Sequence, residues 1–389
     1  MKPPTVTTHP PSVDVPEDNR PLVAPIYQSV KFTFDELEEV ERKLAGERDG
    51  FWYSRQSNPT LKQLELTLAA LQGSEACLLT ASGAAAVNLA MLCLCKQGDH
   101  VVCFAEMYGP TRYMAQRTLA RFGVQHTLLS IEDLDGLERT LAARPTRLVT
   151  FESPTNPVLK IADIARLTDI AKRHGALAVM DNTLAGFHNH GQFAVDLFVH
   201  SLTKFASGHG DVMGGAILGK AALLDSIRGE LGILGATLDP HAAFLIQRGL
   251  KTYFLRYERQ CANALGVAQY LERHPRVARV AYPGLESHPQ RQLALAQLRD
   301  FGAVVAFDLA ASPPECRTFA NALKLFHISA SLGSAESLIL PPSLLQPRGL
   351  TGPQREWARI GPGTVRLAVG IEDLGDLLAD LEQALGALP

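Results

Sequence analysis

The chain has 389 residues, of which 46% are hydrophobic and 20% charged, and its formal net charge at pH 7 is −3. This length is too great for one small hydrophobic core and favours two structural domains. No basic excess points to a nucleic-acid partner and no acidic tail points to a charged one, and the longest apolar run, residues 83–95, is shorter than the roughly 20 residues that cross a bilayer.

The N-terminal segment is rich in proline and has no apolar stretch of the kind found in signal peptides. We therefore expect this segment, residues 1–21, not to fold alone but to form an extended arm that is useful only where it lies on another surface. The arm as a whole is placed at residues 1–60. The six cysteines lie mostly in apolar stretches and form no C-x-x-C pair. This pattern predicts reduced core cysteines in a cytoplasmic protein.

From residue 61 onward, amphipathic helices alternate with short aliphatic runs. A helix is predicted over 60–73, where Gly73 is a typical C-terminal stop. The predicted strands are 76–80, 100–104, 147–153, 176–183, 196–201 and 214–219. This alternation is typical of an α/β domain with a mainly parallel sheet, which we place at 61–255. Polar residues follow several strands, and open sheets of this kind bind ligands at that edge.

The C-terminal third has a different pattern. A long helical stretch over 242–275 is followed by four predicted strands with fewer helices between them: 277–284, 303–310, 325–329 and 364–370. This mixture favours a smaller α+β domain over 256–389. We place the boundary inside the long helical stretch, near residue 255.

Lys204 lies in "FVHSLTKFASGHGDVMGG", between an apolar strand and a glycine-rich turn. An ammonium at the end of a buried strand costs free energy unless it is paired, reaches solvent, or is neutral and used in chemistry. The residues alone leave two interpretations open. The lysine is either a structural, solvent-reaching or ion-paired side chain, or a covalent catalyst.

Other polar strand ends favour the catalytic interpretation. The Ser-Gly turn at 82–83 opens a helix whose free N–H groups suit a phosphate, and Ser201 and Thr203 add hydroxyl groups beside the lysine. Asp181 ends a strand and could hold a pyridine nitrogen protonated, while Tyr108 offers an aromatic face. Each group alone has an ordinary role in caps, turns or packing. Together they meet the requirements of pyridoxal 5'-phosphate.

The motifs resemble those of the Cys/Met-metabolism family of pyridoxal-phosphate (PLP) enzymes, from about residue 20 to the C-terminus. The segments that carry this resemblance are "YSRQSNPT", "ASGAAAVN", "YGPT", "ESPTNP", "MDNT", "HSLTKFASGHGDVMGG", "SLGSAESL" and "VRLAVGIEDL". The resemblance implies the aspartate-aminotransferase-like fold (fold type I): a large α/β domain, a smaller α+β C-terminal domain and an N-terminal arm that contacts a neighbouring subunit. It also implies a homotetramer built from two catalytic dimers.

The resemblance further implies roles for individual residues. Lys204 would bind the cofactor covalently and move protons, and Tyr108 would stack on the ring and assist proton transfer. Asp181 would pair with the ring nitrogen. The remaining implied cofactor ligands are Ser82, Gly83, Ala84, Asn156, Ser201 and Thr203, with Tyr53 and Arg55 reaching a neighbouring subunit's cofactor. The implied ligands of an amino-acid substrate are Arg366, Ser337, Asn156 and Tyr53.

Several positions depart from the family pattern. Ala84 and Ser57 replace a usual methionine and glycine near the phosphate. The segment 184–191 lacks the usual phenylalanine and proline and contains His188 and His190. These two histidines could suggest a metal, but with no second ligand pair at a recognised spacing we expect solvated loop histidines and no metal.

Three further features concern the substrate. Residues 338–361 replace a stretch that borders the substrate entrance in relatives. Leu332 is the residue typical of γ-type enzymes, where β-lyases commonly carry tryptophan. Pro110 stands where methionine γ-lyases have a cysteine, which argues against methionine as the main substrate.

The resemblance implies a lyase that eliminates the γ-substituent of a four-carbon amino acid such as cystathionine, giving a 2-oxoacid, ammonia and a thiol-type leaving group. The motifs leave open γ-replacement on an activated homoserine ester, β-elimination, and γ-elimination of a non-sulfur substrate. An alternative from another class is a nucleotide-binding or regulatory α/β protein without chemistry. The absence of G-x-G-x-x-G after the first strand argues against a dinucleotide site.

Overall fold

The computed structural model describes residues 21–341, 344–345 and 349–389. The first 20 residues of the predicted arm, and residues 342–343 and 346–348 of the altered segment 338–361, lie outside the described residues. No helix in these described ranges is both long and apolar enough to span a membrane.

The larger sheet has seven strands: β1 (Ala76–Thr80), β2 (His100–Phe104), β3 (Gln125–Leu129), β4 (Leu148–Glu152), β5 (Leu177–Asp181), β6 (Leu197–Ser201) and β7 (Gly215–Gly219). Their order is β1-β7-β6-β5-β4-β2-β3, and only β7 runs antiparallel to its neighbours. The prediction of a mainly parallel sheet is therefore confirmed. Because the chain leaves the other six strands at one edge, the residues after those strands are brought together there.

The helices of this part are α1 (Leu37–Leu44), α2 (Pro59–Gln72), α3 (Gly83–Leu94), α4 (Gly109–Tyr113), α5 (Leu134–Ala143), α6 (Ile164–Arg173), α7 (Ala221–Leu234) and α8 (Pro240–Leu250). A π-helical turn over Met114–Leu119 continues α4. Local chemistry fixes the bounds of α2: the Asn58 side chain accepts a hydrogen bond from the Thr60 N–H, and Gly73 ends the helix at a φ of 71°. Positive φ costs little only for glycine, which explains the stop at Gly73.

The C-terminal part contains a second sheet of β8 (Val277–Ala281), β9 (Val304–Leu309), β10 (His327–Ile328), β11 (Leu338–Leu340) and β12 (Thr364–Ala368). Its strand order is β10-β11-β12-β9-β8. The helices here are α9 (Tyr253–Arg273), α10 (Arg291–Gln297), α11 (Pro313–Ala322), α12 (Gly352–Ala358) and α13 (Leu374–Gly386). Residue 255, our predicted boundary, lies near the start of α9, whose buried face packs on β8, β9 and α13.

None of residues 21–57 is buried against the rest of the chain. An isolated antiparallel bridge joins Lys31 to Tyr53, and the Tyr27 N–H donates to the Thr60 hydroxyl (2.9 Å). Helix α1 buries none of its residues. The exposed apolar side chains of this segment are Leu22, Val23, Tyr27, Val30, Leu37, Leu44, Trp52 and Tyr53. Such a concentration of exposed apolar surface is typical of a segment that packs on another molecule.

Candidate active site

A cavity of about 230 Å³ opens at the edge of the large sheet where the parallel strands end. It is lined by most of the residues that the sequence predicts for the site: Ser82, Gly83, Ala84, Tyr108, Asn156, Asp181, Ser201, Thr203, Lys204 and Arg366. Asp181 and Ser201 end strands of the large sheet, and the others lie in the loops that follow its strands or at the start of α3, except Arg366, which lies on β12 of the second sheet. The cavity therefore lies between the two sheets.

The cradle at the start of α3 is built by a close approach of two chain segments. Ser82 caps the helix, its hydroxyl accepting from the Ala85 N–H (3.1 Å). A Cβ placed on Gly83 would lie 2.6 Å from the Cβ of Ser201, so only glycine fits there. The first N–H groups of a helix have no partner within the helix. Gly83 and Ala84 thus present N–H groups beside the Ser201 side chain, which suits a phosphate.

Lys204 lies in the cavity wall between the two sheets. Its Nζ donates to the Ser331 hydroxyl (2.9 Å), and the residues described here offer it no carboxylate partner. Burial, and secondly the positive charge of Arg366, lowers the pKa of the Lys204 amine. The ion-paired alternative for this lysine is therefore not supported, and its burial shifts the equilibrium towards the neutral amine relative to an exposed lysine.

Asp181 ends β5, and its carboxylate accepts from the Thr183 N–H (3.0 Å). Burial raises the pKa of this carboxyl, and a positively charged ring nitrogen beside it would offset that effect. Directly across the ladder, Glu152 at the end of β4 pairs in register with Asp181. Two carboxyl groups thus meet at neighbouring strand ends in the cavity wall.

Arg366 is 3% exposed and projects from β12. One terminal nitrogen donates to the Asn156 side-chain oxygen (3.0 Å) and the other to the Ser331 carbonyl (2.7 Å). Its Nε is buried and has no hydrogen-bond partner in the described part of the chain. Burial lowers the pKa of the guanidinium to about 10. A buried cation with an unused donor is suited to a carboxylate, which would complete its hydrogen bonding.

Three predicted site residues do not line this cavity. Ser337 is fully buried beside the end of β12, where its hydroxyl donates to Glu372 (2.9 Å) and accepts from the Gly370 N–H (2.8 Å). Tyr53 and Arg55 lie on the arm, with the Arg55 guanidinium 5.4 Å from the Tyr53 ring centre. Arg55 also donates to the Gly232 carbonyl. Both residues thus lie outside the cavity that holds Lys204 and Arg366 of the same chain.

The cavity also includes Glu152, which the sequence analysis did not select although it begins the motif "ESPTNP". Its position at the end of a predicted strand, like that of Asp181, is the signal that could have identified it. Of the residues that depart from the family pattern, Ala84, Pro110 and Leu184 line the cavity, and Leu332, the residue typical of γ-type enzymes, lines it as well. With Val87 and Ala330 they supply its apolar surface.

The prediction that His188 and His190 are solvated loop histidines is wrong. His190 is fully buried and bonds the Asn182 side-chain oxygen (2.7 Å), while His188 bonds Asp300 (3.0 Å). Their loop packs into the core, where Phe187 stacks on His200 with ring centres 4.0 Å apart. Burial lowers the pKa of His190 to about 3, so this ring is neutral.

No group of three or more potential metal-ligating side chains occurs in the described part of the chain. All six cysteines are free, and burial raises the pKa of the Cys103 thiol to about 12. Cys103 and Cys77 are fully buried in the core of the large domain. They pack there as small apolar side chains.

The described residues fit pyridoxal phosphate. The glycine cradle and the two hydroxyl groups suit its phosphate, the carboxyl of Asp181 suits its ring nitrogen, and the lysine amine lies in the same cavity. The unused Nε of Arg366 is left for the carboxylate of an amino acid. All of these groups line one cavity, as a single cofactor with its substrate requires.

Comparison with known proteins likewise indicates a pyridoxal-phosphate enzyme. The family model described as Cys/Met metabolism PLP-dependent enzyme matches residues 5–386. An L-methionine gamma-lyase of Pseudomonas putida is 43% identical over 370 residues, covering 94% of this chain and 93% of the relative.

Two solved structures are also similar. A cystathionine gamma synthase from Xanthomonas oryzae pv. oryzae in complex with cystathionine has a TM-score of 0.89 and 33% identity, covering 96% of this chain and 95% of that chain. A putative O-acetylhomoserine (thiol)-lyase from Campylobacter jejuni, containing N'-pyridoxyl-lysine-5'-monophosphate, has a TM-score of 0.89 and 31% identity. The match covers 96% of this chain and 97% of that chain. The fold type I architecture implied by the sequence is thereby confirmed.

Proposed function

Since the chain belongs to the Cys/Met-metabolism family of PLP-dependent enzymes, we propose that it eliminates the γ-substituent of a four-carbon amino acid. The products would be a 2-oxoacid, ammonia and a thiol when the substrate is a thioether. The observation that carries this proposal is the position of Lys204 and Arg366 in one cavity, with Leu332 and other apolar side chains beside them. A substrate held by its carboxylate at Arg366 would extend its side chain along this apolar surface.

We assign the binding roles as follows. Arg366 and Asn156 hold the substrate carboxylate, and Asp181 holds the protonated ring nitrogen of the cofactor. The phosphate ligands of the same chain are Ser82, Gly83, Ala84, Ser201 and Thr203. Ser337 supports this site through Gly370 rather than from the cavity wall. A guanidinium fork gives two parallel hydrogen bonds to a carboxylate, so it also fixes the direction of the side chain.

Proton transfer falls to Lys204 and Tyr108. When bound, pyridoxal phosphate supplies an electron sink that makes the protons near the amino group acidic. In its unprotonated form, which burial favours relative to an exposed lysine, the Lys204 amine would accept the proton from Cα and, after releasing that proton, would accept one from Cβ. Tyr108, which is 46% exposed at the start of α4, lies where it can stack on the ring and donate a proton to the departing sulfur.

Methionine and cystathionine are both candidate thioether substrates. The Pseudomonas putida relative, a methionine gamma-lyase, favours methionine. Pro110, which lines the cavity where those enzymes carry cysteine, favours cystathionine. A second candidate function is γ-replacement, which the similarity to the cystathionine gamma synthase structure supports.

Product analysis tests the proposal. The purified enzyme is incubated with L-cystathionine, with L-methionine, and with an O-acylhomoserine plus cysteine, and 2-oxobutanoate and cystathionine are measured. We expect 2-oxobutanoate from a thioether. Formation of cystathionine from the ester, with no oxoacid from either thioether, would establish γ-replacement instead.

We further propose that the catalytic unit is a dimer in a cytoplasmic homotetramer. The exposed apolar arm and the position of Tyr53 and Arg55 outside their own cavity support a shared site. Light scattering coupled to gel filtration would give the assembly size. A monomeric active enzyme would contradict the shared site.

A further inference from the structure

Glu152 lies in the cavity wall and bridges two chain segments that bear the proposed catalytic groups. One carboxylate oxygen accepts from the Asn156 N–H (2.5 Å) and the other from the Tyr108 N–H (3.2 Å). Tyr108 immediately precedes α4, whereas Asn156 lies in the loop after β4. One side chain therefore holds the segment that bears the Tyr108 ring at a fixed distance from the loop that supports Arg366.

The backbone of Asn156 is adjacent to its side-chain oxygen, which accepts from Arg366. A shift of this backbone would move the guanidinium partner, and a shift of Tyr108 would move its ring. Glu152 is 3% exposed, so water cannot readily replace the carboxylate if it is lost.

The charges that act on Glu152 come from two neighbouring elements. Asp181 faces it from β5 and Arg112 from α4. Burial, and secondly the Asp181 charge, raises the pKa of Glu152 to about 8. A cation held at Asp181 would offset this repulsion and favour the ionised form, which accepts hydrogen bonds at both oxygens.

We propose that Glu152 is a positioning residue that fixes Tyr108 and Asn156 together, and through them the cofactor ring and the substrate carboxylate. This positioning role rests on the roles proposed above for Tyr108, Asn156 and Arg366, and it does not depend on which γ-substituent leaves. Glu152 itself need not exchange a proton with the substrate.

The test is Glu152→Gln in the holoenzyme. The amide has the same shape but only one acceptor oxygen, so one of the two N–H groups meets an NH₂ group. We measure the visible circular dichroism of the bound cofactor, which reports its asymmetric contact with Tyr108, and the binding of L-norleucine from the absorbance change of the cofactor. Norleucine has a methylene in place of sulfur and cannot release a thiol, so its binding is measured without elimination.

We expect norleucine binding about 5- to 50-fold weaker, or a dichroic band reduced by about half, or both, since a buried donor loses its acceptor. Glu106→Gln is the matched control. Glu106 is 2% exposed and bonds Ser130, Ile131 and Lys160 but does not line the cavity. The Glu106→Gln variant should have a lower unfolding temperature but a wild-type dichroic band and wild-type norleucine affinity.

If Glu152→Gln keeps the wild-type band and norleucine affinity, the proposal is overturned. If that variant does not fold, Glu152→Asp replaces it. The shorter carboxylate keeps the charge but cannot reach both N–H groups, so wild-type values in Glu152→Asp would equally overturn the proposal. Failure of the wild-type enzyme to cleave thioethers would remove the proposed γ-elimination and leave these two readouts intact.

Discussion

The cavity wall and the arm hold their proposed active-site residues in opposite ways. Arg366 is 3% exposed and is held by two hydrogen bonds within its own chain, whereas Tyr53 on the arm is 38% exposed. The sheets position the first group before any ligand arrives. The arm residue gains a comparable environment only from another surface. Chemistry and cofactor retention should therefore respond differently to mutation in the two regions.

The largest effect is expected at the cavity lysine. Lys204→Ala removes both the proposed attachment point of the cofactor and the base, so turnover should fall by at least about 10³-fold. The absorption band of the lysine-bound cofactor should be lost, while far-ultraviolet circular dichroism stays unchanged. Lys220→Ala, at an exposed helix start, is the control and should retain activity. Substantial turnover by Lys204→Ala would contradict the assignment.

The next effect concerns the carboxylate clamp. Arg366→Lys keeps the charge but loses the fork, so KM for the amino acid should rise about 10- to 100-fold because a charged hydrogen bond contributes roughly 1.5 to 3 kcal/mol. Arg279→Lys, on β8 and 2.8 Å from Asp308, is a matched control that lies outside the cavity. Steady-state kinetics of both variants give the result. A similar rise in KM in both would mean that the effect is structural.

The third prediction tests the arm directly. Arg55→Ala should weaken cofactor binding, and mixing its subunits with those of Lys204→Ala should restore activity. In a shared-site dimer one mixed site keeps both residues, so about a quarter of wild-type activity is expected after random exchange. Activity is measured after coexpression of the two variants. No recovery in verified mixed dimers would show that each site is built from one chain.

The smallest effect is on the stability of the cofactor-free protein. Since the pKa of Glu152 is raised from 4.5 to about 8, the folded protein retains a proton that the unfolded chain releases. This contribution to stability is present below about pH 4.5 and is lost as the pH rises to about 8. The free energy of unfolding is measured with denaturant between pH 5 and 8. As the pH rises over this range, it should decline less, or increase more, in Glu152→Gln than in wild type. Glu41→Gln on the arm should match wild type, because α1 buries no residue. Identical pH dependence in wild type and Glu152→Gln would exclude this contribution.

Much of the fold could be predicted because short aliphatic runs and turn residues carry strong local signals. All six strands predicted for the large sheet are present, and the helix predicted over 60–73 ends at Gly73 as expected. Strand β3 was missed. It begins with exposed Gln125 and His126 because it is an edge strand, so its sequence lacks the apolar run of a buried strand.

The candidate site could be predicted because polar side chains such as Lys204 and Asp181 follow successive strands of a parallel sheet, and the structure brings these side chains into one cavity. The place of Glu152 in that cavity was not predicted. Its carboxylate accepts from backbone N–H groups of two different segments, and local sequence does not show such contacts. The burial of His190 likewise depends on packing of the loop beneath β5, which the pattern of a polar loop does not indicate.

The position of β1 at the edge of its sheet affects the order in which the site can form. β1 pairs only with β7, which comes more than 130 residues later in the chain, and a Cβ on Gly215 would lie 2.2 Å from the Ser82 carbonyl. The phosphate cradle therefore cannot be complete until residue 219 has left the ribosome and β7 has inserted between β1 and β6. Long-range pairing of this kind is slow to form. The cofactor should thus bind late in biogenesis and stabilise a nearly finished domain rather than initiate its folding.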